Sequence, residues 1–167
     1  MSYEWGKDPV NDAVALMAKL YFFMAKEMLD TFGDEGEQGL RRAIRNFGVS
    51  RGEALREQHE NIGLPIDVES LFNNYDLPYG KDHYQVRNII QFDQDNRVSE
   101  TMICHLQEVW HELGGKEGKR IGSIYCDEFH QAMWGAYDQN ITVDLPSLLS
   151  KDDPCCRFEV HREKKDK

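Results

Sequence analysis

The sequence has no long apolar run. No stretch of its 167 residues approaches the roughly 20 consecutive apolar residues that cross a bilayer as a helix. The first residues, MSYEWGKDPVND, also lack the basic-then-apolar profile of an export signal. We therefore expect a cytoplasmic protein with no membrane partner.

Basic residues are also in short supply. Lys and Arg number 20 against 30 Asp and Glu, which gives a formal net charge of −10. Because nucleic acids and anionic membranes are bound through basic patches, this balance argues against both as partners. A small anionic metabolite remains compatible with it, since a local basic pocket is enough to bind one. We expect a small-molecule substrate, and a homo-oligomer is left open.

Cysteine is scarce, and its spacing is not that of a closed metal site. There are four cysteines and no Cys-x-x-Cys pair, whereas structural zinc sites usually combine four ligands with such spacings. We therefore expect neither a metal nor another cofactor. With no export signal, and with 40% hydrophobic residues to form a core, we expect the thiols to be reduced.

Apolar residues at helical spacing predict a helical hairpin at the N-terminus. The first helix begins at Asp8-Pro9 and ends at Gly33, because proline favours a first helical turn and glycine a helix end. A connector up to Pro78-Tyr79-Gly80 follows the hairpin, with one short helix at about Val68 to Asn73.

The second helix of the hairpin has a capping pattern at its start. Asp34 and Glu37 have the spacing of a capping box, and the helix continues to about Asn61. Gly48 and Gly52 lie inside it and are predicted to weaken or bend it, since glycine is a poor helix former.

The C-terminal half predicts two hairpins and two helices. Strands are predicted at Tyr84 to Phe92, Val98 to Ile103, Ile141 to Leu145 and Cys156 to Val160, and helices at Cys104 to Leu113 and Gly118 to Tyr137. A length of 167 residues suits one domain, 1–167. The expected fold class is α+β: a four-stranded antiparallel sheet with helices packed on one face, after the N-terminal helical hairpin.

One helical turn carries a thiol, a carboxylate and an imidazole. Cys126, Asp127 and His130 are spaced so that Cys126 and Asp127 each neighbour His130 on a helix surface. Such a set suits a thiol–imidazole nucleophile pair or a metal ion.

Cys104 lies where a strand ends and a helix begins, with His105 directly after it. Backbone N–H groups and the positive helix end lower a thiol pKa at such a place, so we expect a thiolate. The alternative is an ordinary buried cysteine.

The vicinal cysteines precede an alternating strand. If the strand is regular, Cys155 and Cys156 face opposite sides, and Phe158 places Cys156 on the inner side. Because Cys104, Cys126 and Cys156 each occupy an inward-facing position of their elements, we expect these three thiols to converge on one internal pocket. Pro154 should lie at or just before the start of this strand, where its missing N–H costs little.

The second helix is rich in arginine, at Arg41, Arg42, Arg45, Arg51 and Arg56. One reading is a solvent-exposed face paired with nearby glutamates. The other is that one arginine turns inward and binds a substrate carboxylate through a bidentate fork.

The chain resembles the L-2-amino-thiazoline-4-carboxylic acid hydrolase family. The matching motifs are Cys126-Asp127, the run DDPCCRF at 152–158, and the second-helix segment GDEGEQGLRRAIRNFGVSRGEAL. The family also carries a cysteine near the start of the helix at Cys104. A more distant likeness is to the ligand-binding domain of bacteriochlorophyll vinyl reductases.

The resemblance implies a hydrolase that opens a small cyclic amidine to a carbamoyl amino acid. Water adds to the ring carbon between sulfur and nitrogen, so the site needs an acid near nitrogen and a nucleophile or activated water near carbon. On this reading Cys104 or Cys126 is the nucleophile, and Asp127 and His130 are the acid and base. The substrate-binding candidates are Arg41, Arg45, Cys156 and Asn140.

Two rival functions remain at the level of sequence. One is a non-enzymatic small-molecule binding or sensing domain of the vinyl-reductase type, which keeps the pocket without depending on its cysteines. The other is a metal-binding domain that uses Cys126 and His130.

Overall fold

The computed structural model describes residue 6, residues 8–77 and residues 85–164. Its elements are α1 (Pro9–Asn61), α2 (Val68–Asn73), β1 (Gln85–Phe92), β2 (Asn96–Cys104), α3 (His105–Tyr137), β3 (Ile141–Ser147), a 3₁₀ turn (Leu149–Lys151) and β4 (Cys156–Arg162). Two expectations lie outside the described residues: the connector's end at Pro78-Tyr79-Gly80, and Tyr84 as a strand residue.

α1 contains both predicted N-terminal helices, joined at a sharp break. Gly33 has φ 53° and ψ −127°, a left-handed conformation that favours glycine. A side chain on Gly36 would begin only 2.1 Å from the carbonyl oxygen of Met28, so the two halves fold back on each other as a hairpin. Asp8 caps the first half and Pro9 lies in its first turn, as predicted.

The predicted capping pattern after the break takes a different form. The Glu37 carboxylate accepts hydrogen bonds from Arg41 at 2.8 Å and from Arg120 at 2.8 Å. It therefore joins the second half of α1 to α3 rather than closing a capping box with Asp34.

Gly48 and Gly52 allow α1 and α3 to approach closely. Both are buried, and both lie in regular helix, since Gly33 is the residue of α1 with non-helical angles. A Cβ on Gly48 would lie 2.9 Å from the backbone oxygen of Phe129, and one on Gly52 would lie 2.0 Å from that of Met133. The prediction that these glycines bend the helix is wrong, because the packing of α3 against them compensates for their poor helix propensity.

The four strands form one antiparallel sheet in the order β1-β2-β4-β3, with each neighbouring pair antiparallel. Cys156, Phe158 and Val160 face inward from β4 and are buried in the core with residues of α3. Pro154 lies two residues before β4, which confirms its predicted position just before the start of this strand. The α+β fold class expected from the sequence is thereby confirmed.

α3 follows β2 without a loop and is itself broken once. Cys104 is the last residue of β2, and α3 begins at the next residue. Gly115 adopts φ 54° and ψ −120°, and a Cβ on Gly118 would lie 1.7 Å from the carbonyl oxygen of Trp110. The first turns of α3 thus fold back along its longer second half, which agrees with the two separate helices predicted at Cys104 to Leu113 and Gly118 to Tyr137. No helix of the described part of the chain has the length and apolar character needed to cross a membrane.

Candidate functional site

Two neighbouring cavities lie between the helices and the inner face of the sheet. We call the first the aromatic chamber; with its solvent-open mouth it encloses about 610 Å³ of empty space. Its polar lining includes three arginines, and its apolar lining is largely aromatic. These residues include Arg51, Arg87, Arg97, Phe72, Tyr75, Phe129 and Trp134.

The second cavity, which we call the thiol chamber, is smaller and more enclosed. Cys104, Cys126 and Cys156 all line it, together with Thr101 and Gln107. The expected convergence of these three cysteines on one internal pocket is therefore confirmed. All four cysteines of the chain are free thiols, and Cys155 does not line this cavity but lies near the Ser147 hydroxyl, at 3.8 Å.

The two chambers share a wall. Gln85, Leu106, Tyr125, His130 and Phe158 line both of them. His130 is the one imidazole among these shared residues. It lies between a space lined by guanidinium groups and a space lined by thiols.

Burial disfavours the thiolate form of the three cysteines that line the thiol chamber. It raises the pKa of Cys104, although the N–H groups of Gln107 and Leu106 partly oppose the rise. Burial also raises the pKa of Cys126 well above its ordinary value, and that of Cys156 to about 12. The expected thiolate at Cys104 is wrong, because loss of solvent outweighs the helix terminus at this place.

Cys126 is held in position by an amide from the first turns of α3. The Gln107 Nε2 group donates to Cys126 Sγ at 3.3 Å. Gly122 leaves room for this contact, since a Cβ there would lie 2.6 Å from Gln107 Oε1. The helix break at Gly115 brings Gln107 and Cys126 together. Cys156, which lines the same chamber, accepts a hydrogen bond at its Sγ from the Leu149 N–H at 3.2 Å.

His130 is a neutral imidazole with a defined tautomer. Its Nδ1 lies 3.2 Å from the Cys126 carbonyl oxygen, and because a carbonyl can only accept, Nδ1 carries the proton. Burial lowers the pKa of His130 to about 4. The rings of Trp134 and Phe158 pack around it at centroid distances of 5.2 and 4.8 Å. Nε2 is therefore a proton acceptor at neutral pH.

The folded protein should lose stability between pH 7 and pH 5 because of His130. An unfolded histidine titrates near pH 6.5, whereas folded His130 titrates at about 4. As the pH falls, the unfolded chain binds the proton first, so the contribution present above pH 6.5 decreases by about 2 kcal/mol by pH 5. Urea denaturation at pH 7 and at pH 5 measures the free energy of unfolding. Between these pH values it should decrease by about 2 kcal/mol less in His130→Gln than in the unsubstituted protein. An equal loss in the two proteins would contradict this assignment.

The structure does not bring Asp127 into either chamber. It is exposed, and its carboxylate lies 3.2 Å from Lys151 Nζ and 3.9 Å from an Arg41 guanidinium nitrogen. One residue along a helix turns the side chain by about 100°, which takes Asp127 away from the cavity that Cys126 lines. Asp127 is three residues from His130 on the helix surface, but its carboxylate pairs with Lys151. Its position does not support the expected acid or base role.

The arginines that were expected to bind the substrate carboxylate also lie outside both chambers. Arg41 pairs with Glu37 and Glu128, and Arg45 also pairs with Glu128, on the outer side of the contact between α1 and α3. Neither lines a chamber. Asn140 is a turn residue, and its amide donates to Asp138 Oδ1 at 2.7 Å, so it is also outside the cavity.

Arg51 is the arginine of α1 that turns inward. It donates to both carboxylate oxygens of Asp76, at 2.8 and 2.6 Å, and its guanidinium lies 5.2 Å from the ring centre of Phe129. This agrees with the expectation that one arginine of the helix faces a pocket, at a different position from the two that we selected.

The inner face of β2 is polar, which the sequence reading missed. Arg97, Ser99 and Thr101 are 2%, 0% and 1% exposed, while Met102 and Ile103 of the same strand are 42% and 45% exposed. Arg97 donates to the Ser99 hydroxyl at 2.6 Å and lies 4.3 Å from the ring centre of Phe72. The sequence does contain a signal for this polar row, which is the alternation Arg-x-Ser-x-Thr at 97–101. It has the same two-residue period as Cys-x-Phe-x-Val at 156–160, on the strand that pairs with β2.

The described residues contain no group of three or more His, Cys, Asp or Glu side chains arranged to hold a metal ion. Cys126 and His130 thus lack a third ligand within that part of the chain. The geometry does not support the rival metal-binding function.

Comparisons with known proteins found one matching family model and two solved structures of low sequence identity. A family model described as L-2-amino-thiazoline-4-carboxylic acid hydrolase matches residues 14–160. No curated protein matches in sequence. A trafficking protein particle complex subunit 3 from Naegleria fowleri, solved covalently bound to palmitic acid, shares 12% identity at a TM-score of 0.56, over 91% of this chain and 96% of that one. The phenol-responsive sensory domain of the transcription activator PoxR, solved with phenol, shares 14% identity at a TM-score of 0.46, over 89% and 74%.

Proposed function

This chain belongs to the L-2-amino-thiazoline-4-carboxylic acid hydrolase family, and on that premise we propose that it hydrolyses a small cyclic amidine bearing a carboxylate. The product is a carbamoyl amino acid. The observation that carries the proposal is the position of His130, a neutral imidazole in the wall between the arginine-lined aromatic chamber and the thiol chamber.

The carboxylate of the substrate lies in the aromatic chamber. Arg87 and Arg97 line that chamber from β1 and β2, and guanidinium groups bind carboxylates through paired, charge-assisted hydrogen bonds. The aromatic side chains lower the local dielectric, which strengthens this attraction. The ring then extends past His130 toward the thiols.

His130 acts on a water molecule. Its Nε2 takes a proton from water while the water oxygen bonds to the ring carbon between sulfur and nitrogen. The electron pair of the amidine C=N bond moves to its nitrogen, which takes this proton from the imidazolium. The bond between the attacked carbon and one ring heteroatom then breaks, and the proton of the added hydroxyl passes through Nε2 to the leaving atom. Ring opening leaves a carbonyl on the attacked carbon, so one water is consumed and no other reactant is needed.

The thiols shape the end of the cavity in this scheme and stay protonated. A cysteine nucleophile is the competing scheme, in which His130 first deprotonates Cys104 or Cys126. The raised pKa values of both thiols favour the water route, since forming a buried thiolate costs free energy.

The first test compares two arginines in the same assay. The unsubstituted protein should convert 2-amino-thiazoline-4-carboxylate to a carbamoyl-cysteine, detected by mass spectrometry. Arg87→Gln should reduce kcat/KM by about 10- to 100-fold, because a charge-assisted hydrogen bond contributes roughly 1.5–3 kcal/mol. Arg45→Gln is the matched control, since Arg45 is 48% exposed and pairs with Glu128, and it should retain activity.

The opposite pattern would overturn the placement of the carboxylate. If Arg45→Gln lost activity and Arg87→Gln retained it, the substrate would bind at the outer side of the helices. If the ring compound raised the melting temperature without product appearing, the chain would be a small-molecule binding domain and the hydrolase proposal would fail.

A further inference from the structure

We propose that Thr101 and Gln85 form a hydrogen-bonding site for the exocyclic N–H group of the substrate. The site would make the protein select 2-amino rings over rings that carry a carbonyl at the same carbon. The inference rests on the proposed function, because it assigns the part of the substrate that lies beyond His130.

The first observation is a pair of buried polar atoms without hydrogen-bond partners. Among the described residues, Thr101 Oγ1 and Gln85 Oε1 are both enclosed and make no hydrogen bond within the chain. Thr101 is only 1% exposed. An unpartnered buried polar group costs free energy, so its retention beside a cavity indicates a ligand that supplies the missing partner.

The second observation is that both residues line the thiol chamber. Thr101 is paired in the sheet with Cys156 on one side and with Arg87 on the other. Gln85 is paired with Cys104, and its Nε2 group lies 3.7 Å from Cys104 Sγ. The open acceptor of Gln85 is thus beside the thiols. Gln85 also lies two residues before Arg87 on β1, the arginine to which we assign the substrate carboxylate.

The chemistry of the two atoms decides the ligand class. A glutamine Oε1 can only accept a hydrogen bond, and a threonine hydroxyl can accept or donate one. An amidine presents N–H donors to both. A ring carbonyl in the same place can still accept a hydrogen bond from the Thr101 hydroxyl, but it faces Gln85 Oε1 with a second acceptor, so Gln85 is left without a donor. Gln85 is therefore the residue that discriminates between the two rings. Sites built in this way reject an analogue that lacks the required N–H strongly.

The test uses two ring compounds of nearly equal shape. The activity assay gives kcat/KM for 2-amino-thiazoline-4-carboxylate, and inhibition in the same assay gives Ki for 2-oxothiazolidine-4-carboxylate. Thr101→Val and Gln85→Met should each lower kcat/KM for the amino ring by about 10- to 100-fold. The Ki of the oxo ring should change by less than about three-fold in Gln85→Met, because its carbonyl makes no hydrogen bond with Gln85 Oε1. In Thr101→Val the Ki of the oxo ring should rise as well, because the lost hydroxyl can donate to that carbonyl. Thr101→Ser keeps the hydroxyl and should restore most of the activity.

Stability provides a readout that separates this role from a structural one. Because the hydroxyl has no partner in the empty protein, the melting temperature of Thr101→Val should equal or exceed that of the unsubstituted protein. A lower melting temperature of Thr101→Val would show that Thr101 supports the fold and would overturn the inference. Equal weakening of both ring compounds by Gln85→Met would also overturn it, because that acceptor can bind only the amino ring.

The two proposals fail in different ways. Turnover of the amino ring with unchanged selectivity in Gln85→Met would remove the N–H site and keep the hydrolase. If there is no turnover, thermal stabilisation by the two compounds replaces kinetics as the measure of binding. Preferential stabilisation by the amino ring that is lost in Gln85→Met would keep the N–H site and remove the hydrolase. If neither ring compound stabilised the protein, both would fail.

Discussion

His130→Gln is expected to lower kcat for 2-amino-thiazoline-4-carboxylate by about 10²- to 10⁴-fold, the usual contribution of a positioned general base. The glutamine amide can still donate to the Cys126 carbonyl, but it has no lone pair on nitrogen to accept a proton. KM should change little, because the carboxylate is bound by Arg87 and Arg97. Steady-state kinetics with purified protein measures both parameters.

Asp127→Asn is the matched control for this change. Asp127 lies three residues away on the same helix but is exposed and paired with Lys151, so the variant should keep full activity. Cys104→Ser and Cys126→Ser should also retain turnover on the water route. Loss of turnover in either serine variant, together with faster alkylation than that of a free thiol, would replace this route with a covalent one.

The pH dependence of the reaction gives an independent check on the base. Because burial lowers the pKa of His130 to about 4, the basic form is present throughout the range above pH 5. The value of kcat/KM should therefore be level from pH 7 to about pH 5 and decrease only as the pH approaches 4. A decrease centred near 6.5, where an ordinary histidine titrates, would contradict the buried neutral imidazole.

Gly52→Ala is expected to destabilise the protein by about 3 kcal/mol or more, at the upper end of overpacking effects. The added Cβ would start 2.0 Å from the backbone oxygen of Met133, and a backbone atom cannot move aside without displacing α3. Since α3 carries Cys126 and His130, separation of the helices should also disturb the wall between the chambers. Chemical denaturation of the variant measures the loss.

Gly39→Ala is the control for this substitution. Gly39 lies in the same half of α1, and its nearest neighbours are the flexible ends of Met28 and Arg42, at 3.2 and 3.8 Å. That change should be neutral or should stabilise the protein by roughly 0.5–1 kcal/mol, because alanine is the better helix former. Equal stability of the two variants would mean that α1 and α3 do not approach at Gly52.

Local sequence signals predicted the elements and most of their ends. The Asp8-Pro9 start, the breaks near Gly33 and Gly115, and the position of Pro154 all follow from backbone preferences of single residues. The inward face of β4 follows from alternation in a strand. These properties depend on a few neighbouring residues, so they can be read without knowing the fold.

The composition of the site could be predicted only in part. The three cysteines were expected to meet, because each occupies an inward position of its element. The side of a helix that faces a cavity depends on what packs against it, so Arg51 and Arg41 could not be distinguished from spacing alone. Asp127 was selected because it is three residues from His130 on a helix surface, although the helix turns its side chain away from the cavity that Cys126 lines.

Sequence patterns were enough to predict the order and type of the elements, the family, and which thiols face inward. The folded structure was needed to show that Arg97, Ser99 and Thr101 form an inward polar row, that the three thiols of the thiol chamber stay protonated, and that His130 is a neutral base between two chambers. The reason is that burial depends on distant segments. The desolvation that raises the pKa of Cys104 and lowers that of His130 arises from helices and strands far away in the chain, which no local pattern contains.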